Sequence, residues 1–281
     1  MTKIPLLICS GTAFSATSPL HYTLCLDNKY AHTGLCKENY YLYSIQEGVD
    51  IKFGRDTSNN KPSEMTITHG CEELFGKKSI DGYIRYYQRL WEHIKFDYHA
   101  VADFSNQNAC LTEKFMQSIK PRLLEHFDVK VIMIFRDPIR RLWSVCSKGN
   151  IREFRRWVGG DLEPNAKYAD IYKRHRNVWG EENVHMIVME ELWSNYGKMI
   201  DLSNFINFPI TKLHENVYYP EMGTKAPHYE YLKDQWISEK YDLNLKTWAY
   251  AMNNIGWVYN DFEKTFGYIP TNWRVYNQIH S

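Results

Sequence analysis

An arginine directly follows one of the most apolar segments of the chain. Residues 130–135 (KVIMIF) predict a buried strand, and Arg136, Asp137 and Pro138 come next. Asp137 suits the cap and Pro138 the first turn of a following helix, so Arg136 would lie at the carboxyl end of a strand, where α/β folds bind ligands. Its planar guanidinium could hold a phosphate with two charge-assisted hydrogen bonds. The alternative is an ion pair between Arg136 and Asp137 or another carboxylate.

A second candidate anion site follows the first apolar segment. After residues 5–10 (PLLICS) the chain reads GTAFSATSPL over residues 11–20, and a predicted helix then extends to Leu26. A strand, a turn of small and hydroxyl residues and a helix start can bring backbone N–H groups together around a phosphate. An ordinary strand-to-helix turn has the same appearance. The Gly-x-x-x-x-Gly-Lys-Ser/Thr pattern of nucleotide hydrolases, with its lysine, is absent.

Strands that alternate with helices must position these two loops. Apolar runs and helical periodicity predict the following elements. The strands are 5–10, 98–103, 130–135 and 184–189, and the helices are 80–94, 112–127, 166–179 and two within about 229–266. This order predicts an α/β fold of three layers, with a central parallel sheet flanked by helices. No linker or repeat divides the chain, so residues 1–281 are expected to form a single domain, in which 39–78 is a candidate lid or acceptor-binding insertion.

Composition restricts the partners and the compartment. The 34 Lys and Arg nearly balance the 33 Asp and Glu, so no overall positive field would hold a nucleic acid. The six cysteines form no C-x-x-C pair, which favours a reducing compartment. The uncharged stretch between Lys3 and Asp27 is too often interrupted for a membrane span, and its apolar run is too short for a signal peptide. We therefore expect a cytoplasmic protein with no nucleic-acid partner.

Taken together, these segments resemble the sulfotransferases that use 3′-phosphoadenosine-5′-phosphosulfate (PAPS), especially the branch that acts on carbohydrates. That family binds the 5′-phosphosulfate at a first loop placed like GTAFSATSPL. It binds the 3′-phosphate at a strand followed by Arg-x-Pro and a serine eight residues after the arginine, as in Arg136 and Ser144. Residues 37–41 (KENYY) are similar to the family's Lys-Glu-Pro-His-Phe-Phe segment, whose glutamate is the general base. Residues 102–105 (ADFS) lie where the family has a Glu-Lys-Ser/Thr-Pro segment beside the acceptor.

The resemblance implies a P-loop-like fold and a sulfotransferase that moves a sulfuryl group from PAPS to a hydroxyl or amine, with a carbohydrate as the favoured acceptor. The product would be 3′,5′-adenosine bisphosphate (PAP), and no metal would be required. Glu38 would accept the proton of the acceptor, and Lys37 would stabilise the departing phosphate oxygen. The donor-binding residues that the resemblance implies are Thr12, Ala13, Phe14, Ser15, Ala16, Thr17, Ser18, Arg136, Ser144 and, in a late loop, Lys225.

The chain also departs from the family pattern. Phe14 and Ala16 stand where the family has Lys or Arg and then Gly, and Lys37 is the candidate replacement for the missing cation. Asn39 replaces a proline, which we expect to matter less. Two alternatives therefore stay open: a sulfotransferase-like protein that binds a nucleotide or glycan without turnover, and a P-loop kinase, against which the missing P-loop lysine argues. His32 is an alternative base.

Two further expectations concern side chains outside the predicted site. Tyr83, Tyr87 and Trp91 follow one another at helical spacing, which favours a place in the core over a surface that stacks on a sugar. Arg140 and Arg141 are expected to be solvated charges on the helix that follows Pro138.

Overall fold

The computed structural model describes most of the chain. The described residues are 2–12, 15, 17–34, 37–48, 78–145, 166–211, 245–271 and 273, with the backbone alone at 140, 143–145, 193–194 and 245–249. Ala13, Phe14, Ala16 and Lys225 lie outside these residues. So do most of the predicted insertion at 39–78 and the first part of the predicted tail at 229–266.

The described strands form one parallel sheet in the order β2-β3-β1-β4-β5. The strands are β1 (Ile4–Cys9), β2 (Ala31–His32), β3 (Ala100–Asp103), β4 (Phe127–Phe135) and β5 (Val184–Val188). Leu6 of β1 lies opposite Val101 of β3 on one side and Val129 of β4 on the other. Since all strands run the same way, their carboxyl ends meet at one edge. The strand order reverses between β1 and β4, which is where open α/β sheets bind ligands.

Helices follow the strands in the predicted alternation. The described helices are α1 (Thr17–His21), which continues as a π-helix (Tyr22–Asp27), α2 (Tyr41–Glu47), α3 (Ile80–Ile94), α4 (Glu113–His126), α5 (Pro138–Val145), α6 (Tyr168–Trp179), α7 (Met189–Ser194), α8 (Tyr196–Ile206) and α9 (Leu245–Phe266). Side chains cap the starts of α3 and α4 among others, since Ser79 accepts a hydrogen bond from Gly82 N (3.1 Å) and Thr112 accepts one from Phe115 N (3.2 Å). No helix in the described ranges combines the length and apolar character needed to cross a bilayer.

The core has two parts, one on each face of the sheet. Alternate residues of β1 divide between them: Leu6 and Ile8 join the cluster that includes α3, α4, α6 and α9. Leu7 and Cys9 join the cluster that includes α1, α7 and α8. Because neighbouring strand side chains point to opposite faces, this division means that both faces are covered. The predicted α/β fold with a central parallel sheet between helical layers is confirmed.

Element bounds agree with the sequence prediction except at short or mixed segments. Helix α3 has the predicted bounds, whereas β4 begins three residues before the predicted 130 and β3 begins at Ala100. The extra residues of β4 alternate between exposed and buried, so they do not form the continuous apolar run used for the prediction. Strand β2 was not predicted, since two residues are too few to produce a pattern.

Candidate active site

The first loop leaves the carboxyl end of β1 through a tightly packed glycine. A Cβ atom at Gly11 would overlap the methyl groups of Ile134 and Thr17. Only glycine allows the backbone to pass this close to β4 and to the start of α1. Gly11 therefore fixes the path of the loop across the sheet edge where β1 and β4 meet.

Hydroxyl groups line the described part of this loop. The hydroxyls of Thr12 and Ser15 are 2.6 Å apart and hydrogen-bonded, and the Ser15 N–H donates to Thr12 O (3.1 Å). Thr12, Ser15 and Thr17 are buried and Ser18 is half-buried. The loop thus presents several hydroxyls close to a helix start, which is a donor set suited to phosphate or sulfate oxygens.

A lysine from a different segment reaches the first loop. Lys37 Nζ donates to Thr17 Oγ1 at 2.9 Å and to Glu38 Oε1 at 2.7 Å. The Lys37 side chain is 11% exposed, so its charge is largely held within the site. The first loop of this chain lacks the family's cation, and the structure brings the charge of Lys37 to that loop. The same charge is hydrogen-bonded to Glu38, the predicted base.

Glu38 is held at both carboxylate oxygens. Lys37 binds Oε1, and the phenol of Tyr40 donates to Oε2. The Glu38 side chain is 25% exposed, so it remains open to a partner from solvent. Tyr40 has φ 51°, in the left-handed region that residues other than Gly, Asn and Asp rarely adopt. Backbone strain next to a polar side chain is typical of residues that the surrounding structure holds in place for a task.

Asn39 and Ser105 fix the segment that carries Glu38. Ser105 Oγ accepts from the backbone N–H groups of Asn39 (3.1 Å) and Tyr40 (3.0 Å) and donates to Asn39 Oδ1 (3.1 Å). Asn39 Oδ1 also accepts from Tyr41 N (3.0 Å), and Asn39 Nδ2 donates to Tyr87 OH (2.9 Å). A proline could make none of the bonds that Asn39 donates or accepts through its amides. Asn39 therefore fixes this segment through contacts that the family's proline could not make.

A buried acid fixes Ser105, and two buried tyrosines bond to the same strand end. Asp103, at the end of β3, accepts from Ser105 N (2.9 Å) and from Tyr83 OH (3.1 Å), and Tyr87 OH donates to Ala102 O (3.2 Å). Burial raises the pKa of Asp103 above its ordinary value. Tyr83 and Tyr87 are fully buried. Their predicted place in the core is confirmed, and Trp91 packs against the same core.

Two histidines near β2 are held neutral. His32 Nδ1 accepts from Gly34 N (2.9 Å), and burial lowers the pKa of His32. His21 Nε2 lies 3.2 Å from Thr33 Oγ1, and burial, with the Lys37 charge, lowers the pKa of His21 to about 3. A neutral imidazole has one nitrogen with a lone pair and one that carries hydrogen. In His32 the lone pair is on Nδ1 and already accepts from Gly34 N, so it is not available to take a proton from the sulfuryl acceptor. This geometry argues against His32 as the base.

Arg136 lies at the carboxyl end of β4, as the sequence predicts. Asp137 caps α5 by accepting from Ile139 N (2.9 Å), which confirms its predicted role. The Arg136 side chain is 11% exposed, and its Nε lies 4.0 Å from Glu190 Oε1. Tyr168 OH donates to the Arg136 carbonyl at 2.8 Å. An ion pair of Arg136 with a carboxylate, the alternative that the sequence left open, is thus present with Glu190 beside the candidate phosphate site.

Arg141 differs from its sequence prediction. It is buried, with 4% of its surface exposed, because it lies against Tyr168 of α6 and not in solvent. Burial raises the pKa of Tyr168 to about 12, and the Arg141 charge opposes that rise. Ser144 lies in α5 with only its backbone described, as does Arg140. The site also contains residues that sequence reasoning missed: Glu190, Tyr259 and Trp273. The bond from Tyr40 to Glu38 was not predicted either, although Tyr40 belongs to the segment 37–41.

The described residues bring three of the predicted positions, Thr17, Lys37 and Glu38, into one hydrogen-bonded series. Thr12 and Ser15 of the same loop are hydrogen-bonded to each other. Arg136 occupies the neighbouring strand end on the other side of β1. No group of three or more His, Cys, Asp or Glu side chains with the geometry of a metal site occurs within the described ranges.

The comparisons with known proteins identify the fold. No model of a known protein family matches the chain, and no curated protein matches it. The crystal structure of a sulfotransferase from Alicyclobacillus acidocaldarius matches 98% of this chain and 100% of that chain, with a TM-score of 0.58 and 16% sequence identity. The chain has a sulfotransferase fold.

Two further solved structures resemble the chain more loosely. The sulfotransferase domain from the curacin biosynthetic pathway has a TM-score of 0.48 at 17% identity, over 90% of this chain and 98% of that one. A sulfotransferase from Mycobacterium avium has a TM-score of 0.42 at 14% identity, over 75% of this chain and 66% of that one. The identification of the sulfotransferase fold rests on the first structure alone.

Proposed function

We propose that this protein is a sulfotransferase that moves a sulfuryl group from PAPS to a hydroxyl or amine acceptor, with a carbohydrate as the favoured acceptor. The observation that carries the proposal is the position of Lys37, whose ammonium joins the Thr17 hydroxyl of the first loop to the Glu38 carboxylate. In-line transfer requires a base on the acceptor side and a positive charge on the leaving-group side. Lys37 would supply the positive charge, and its hydrogen bond to Glu38 keeps that charge next to the candidate base.

The donor fits the chemistry of the two strand ends. The first loop supplies the hydroxyls of Thr12, Ser15 and Thr17 and the charge of Lys37, which together suit the 5′-phosphosulfate. Arg136, at the end of β4, suits the 3′-phosphate and would favour PAPS over ATP. Ser144, Lys225 and loop residues Ala13, Phe14, Ala16 and Ser18 remain proposed donor contacts on the strength of the resemblance.

In the proposed step the acceptor oxygen or nitrogen attacks the sulfur of PAPS. Glu38 takes the proton of the acceptor, and the bond between sulfur and the bridging phosphate oxygen breaks. Lys37 stabilises the negative charge that develops on that oxygen, and PAP leaves. Proton transfer to a positioned base contributes about 10² to 10⁴ in rate, and a charged donor at the leaving group acts in the same way as an oxyanion hole.

The base must be both available and fixed. Glu38 meets both conditions, because a quarter of its side chain is exposed and both carboxylate oxygens have hydrogen-bond donors. Those donors hold the carboxylate in one orientation. A freely rotating surface glutamate would lack this preorganisation.

The experiment is a measurement of PAP release from PAPS in the presence of oligosaccharides, amino sugars and phenols as acceptors. We expect acceptor-dependent release by the wild type, a loss of about 10² or more in kcat for Glu38→Gln, and unchanged PAP affinity for that variant. Glu47→Gln, an exposed glutamate on α2, is the matched control and should keep full activity.

Two outcomes would overturn the proposal. If PAPS binds but is not consumed with any of the acceptors, the chain is the sulfotransferase-like protein without turnover that Phe14 and Ala16 leave open. Phosphoryl transfer from Mg-ATP, with no binding of PAP, would indicate a kinase. A Glu38→Gln variant as active as wild type would remove the assignment of the base.

A further inference from the structure

Glu190 lies beside the proposed 3′-phosphate site, although no sequence pattern pointed to it. Strands β4 and β5 pair in register, with Phe135 opposite Val188. Asp137 and Glu190 each come two residues later, so they leave neighbouring strand ends side by side. Glu190 is 4% exposed. A buried carboxylate is costly unless it is paired and hydrogen-bonded, so its neighbours are informative.

Two hydrogen-bond donors and one guanidinium charge lie around the Glu190 carboxylate. Oε1 accepts from the backbone N–H of Asp137 (3.1 Å) and lies 4.0 Å from Arg136 Nε. Oε2 accepts from the indole N–H of Trp273 at 3.1 Å. The carboxylate therefore joins the carboxyl end of β4 to a residue beyond the last described helix, with the Arg136 guanidinium next to it.

The chain at and directly after Arg136 is also fixed. Tyr168 OH donates to the Arg136 carbonyl at 2.8 Å. Asp137 Oδ1 accepts from Ile139 N (2.9 Å) and from Tyr259 OH (2.8 Å). With the main chain held in this way, the remaining freedom of Arg136 is in its side chain. Glu190 is the carboxylate that lies at the Nε edge of that side chain.

We propose that Glu190 is a positioning residue that sets the plane of the Arg136 guanidinium and thereby the selectivity for a nucleotide with a 3′-phosphate. The inference rests on the proposed function. A guanidinium is planar and rigid, so the attraction that draws its Nε edge toward Glu190, 4.0 Å away, restricts where the terminal nitrogens lie. Two-pronged binding of a phosphate depends on that orientation, and an Arg that swings freely loses it.

Simple electrostatics predicts the opposite result, which makes the inference testable. Glu190 is a negative charge near an anion site, so its removal alone would strengthen the binding of any phosphate. Positioning predicts that its removal weakens binding, and only for a ligand that uses Arg136. The direction of the change and its dependence on the 3′-phosphate separate the two accounts.

The experiment is calorimetric titration of the full chain with PAP and with adenosine 5′-monophosphate, which lacks the 3′-phosphate. For Glu190→Gln, whose amide oxygen can still accept from Asp137 N, we expect PAP to bind about tenfold more weakly and the monophosphate to bind unchanged. Glu191→Gln is the matched control: Glu191 is the next residue, and it accepts from Tyr268 OH at 3.1 Å. It should leave both affinities unchanged. Unchanged or tighter PAP binding by Glu190→Gln would overturn the inference, as would an equal loss for both ligands.

A second variant keeps the test decisive if Glu190→Gln does not fold. Trp273→Phe removes the indole donor to Glu190 Oε2 and keeps the carboxylate. We expect the preference for PAP over the monophosphate to fall about threefold or more, and an unchanged preference would contradict the inference. Failure of the proposed function has a different signature, because the wild type would then show no preference for PAP at all.

Discussion

The phenol of Tyr40 donates a hydrogen bond to Glu38 Oε2, two residues earlier in the chain. Tyr40 adopts φ 51°, a conformation that costs an L-residue with a Cβ about 1 kcal/mol or more. The surrounding bonds from Ser105 to the backbone N–H groups of Asn39 and Tyr40 maintain it. The backbone of this segment is strained at Tyr40, and Glu38 is held by the Tyr40 phenol at one oxygen and by Lys37 at the other.

Removal of the Tyr40 hydroxyl should impair turnover without impairing donor binding. Tyr40→Phe leaves Glu38 Oε2 without this donor, so the base samples unproductive orientations. We expect kcat to fall about tenfold and the Kd for PAP to stay within twofold of wild type, as measured by steady-state kinetics and calorimetry. Tyr43→Phe, in the helix α2 that follows Tyr40, is the control and should leave kcat unchanged. Equal kcat for Tyr40→Phe and wild type would show that Tyr40 does not orient the base.

Restoring the family's proline should damage this chain. Asn39→Pro removes the N–H that donates to Ser105 and the amide that bonds Tyr87 and Tyr41. Buried partners left unsatisfied cost about 1 to 3 kcal/mol each, so we expect the free energy of unfolding to fall by at least about 2 kcal/mol in chemical denaturation. Asn39→Asp keeps the side-chain oxygen and loses only the donation to Tyr87. Its free energy of unfolding should lie between those of Asn39→Pro and wild type. A proline variant as stable as wild type would contradict the role given to Asn39.

Gly11 gives a prediction that contrasts two glycines. Gly11→Ala places a methyl group against Ile134 and Thr17, and overpacking of this kind costs about 1 to 3 kcal/mol. Gly256→Ala, inside α9, meets only Met252 Cε at 3.5 Å and should stabilise the protein by about 0.5 to 1 kcal/mol. Thermal unfolding should therefore move in opposite directions for the two variants. Equal midpoints would mean that the first loop does not run close to β4.

Acid should destabilise the fold in part through His21. Its pKa is about 3 in the folded chain because of burial and the Lys37 charge, against 6.5 for the free side chain. Between these values the unfolded state binds the proton and the folded state does not, so the free energy of unfolding falls as the pH falls. The slope from one such histidine approaches about 1.4 kcal/mol per pH unit.

The measurement is chemical denaturation from pH 7 to pH 4. His21→Gln should flatten the dependence of stability on pH below pH 6.5, and His93→Gln, at an exposed position of α3, should leave it as in wild type. His175 behaves as His21 does, since burial lowers its pKa to about 3, so some slope will remain in the His21 variant. The prediction is wrong if His21→Gln and wild type have superimposable profiles.

Local sequence patterns were enough to predict the fold and the position of Arg136. Strand, loop and helix order predicts the parallel sheet, and Asp137 and Pro138 predict the helix start that places Arg136 at the end of β4. These features depend on residues that are close in sequence. The position of Lys37 beside Thr17 depends on contacts between segments twenty residues apart, so only the resemblance suggested it.

The remainder of the site depends on contacts that no local pattern encodes. Trp273 reaches Glu190 across 83 residues and Tyr259 reaches Asp137 across 122. The burial of Arg141 could not be read from its helix either, because Tyr168 of α6 is what covers it. The function of Asn39 was missed for the opposite reason: the family pattern directed attention to the proline that is absent, and not to the amide that is present.

The most direct test of the central claim is calorimetric titration of the full chain with PAP, in the presence of a metal chelator, with ATP and Arg136→Ala as controls. The account predicts binding of PAP that needs no metal, exceeds the binding of ATP, and weakens about tenfold or more in the variant. No binding of PAP to the folded wild type, or an affinity that Arg136→Ala leaves unchanged, would contradict the assignment of the donor site.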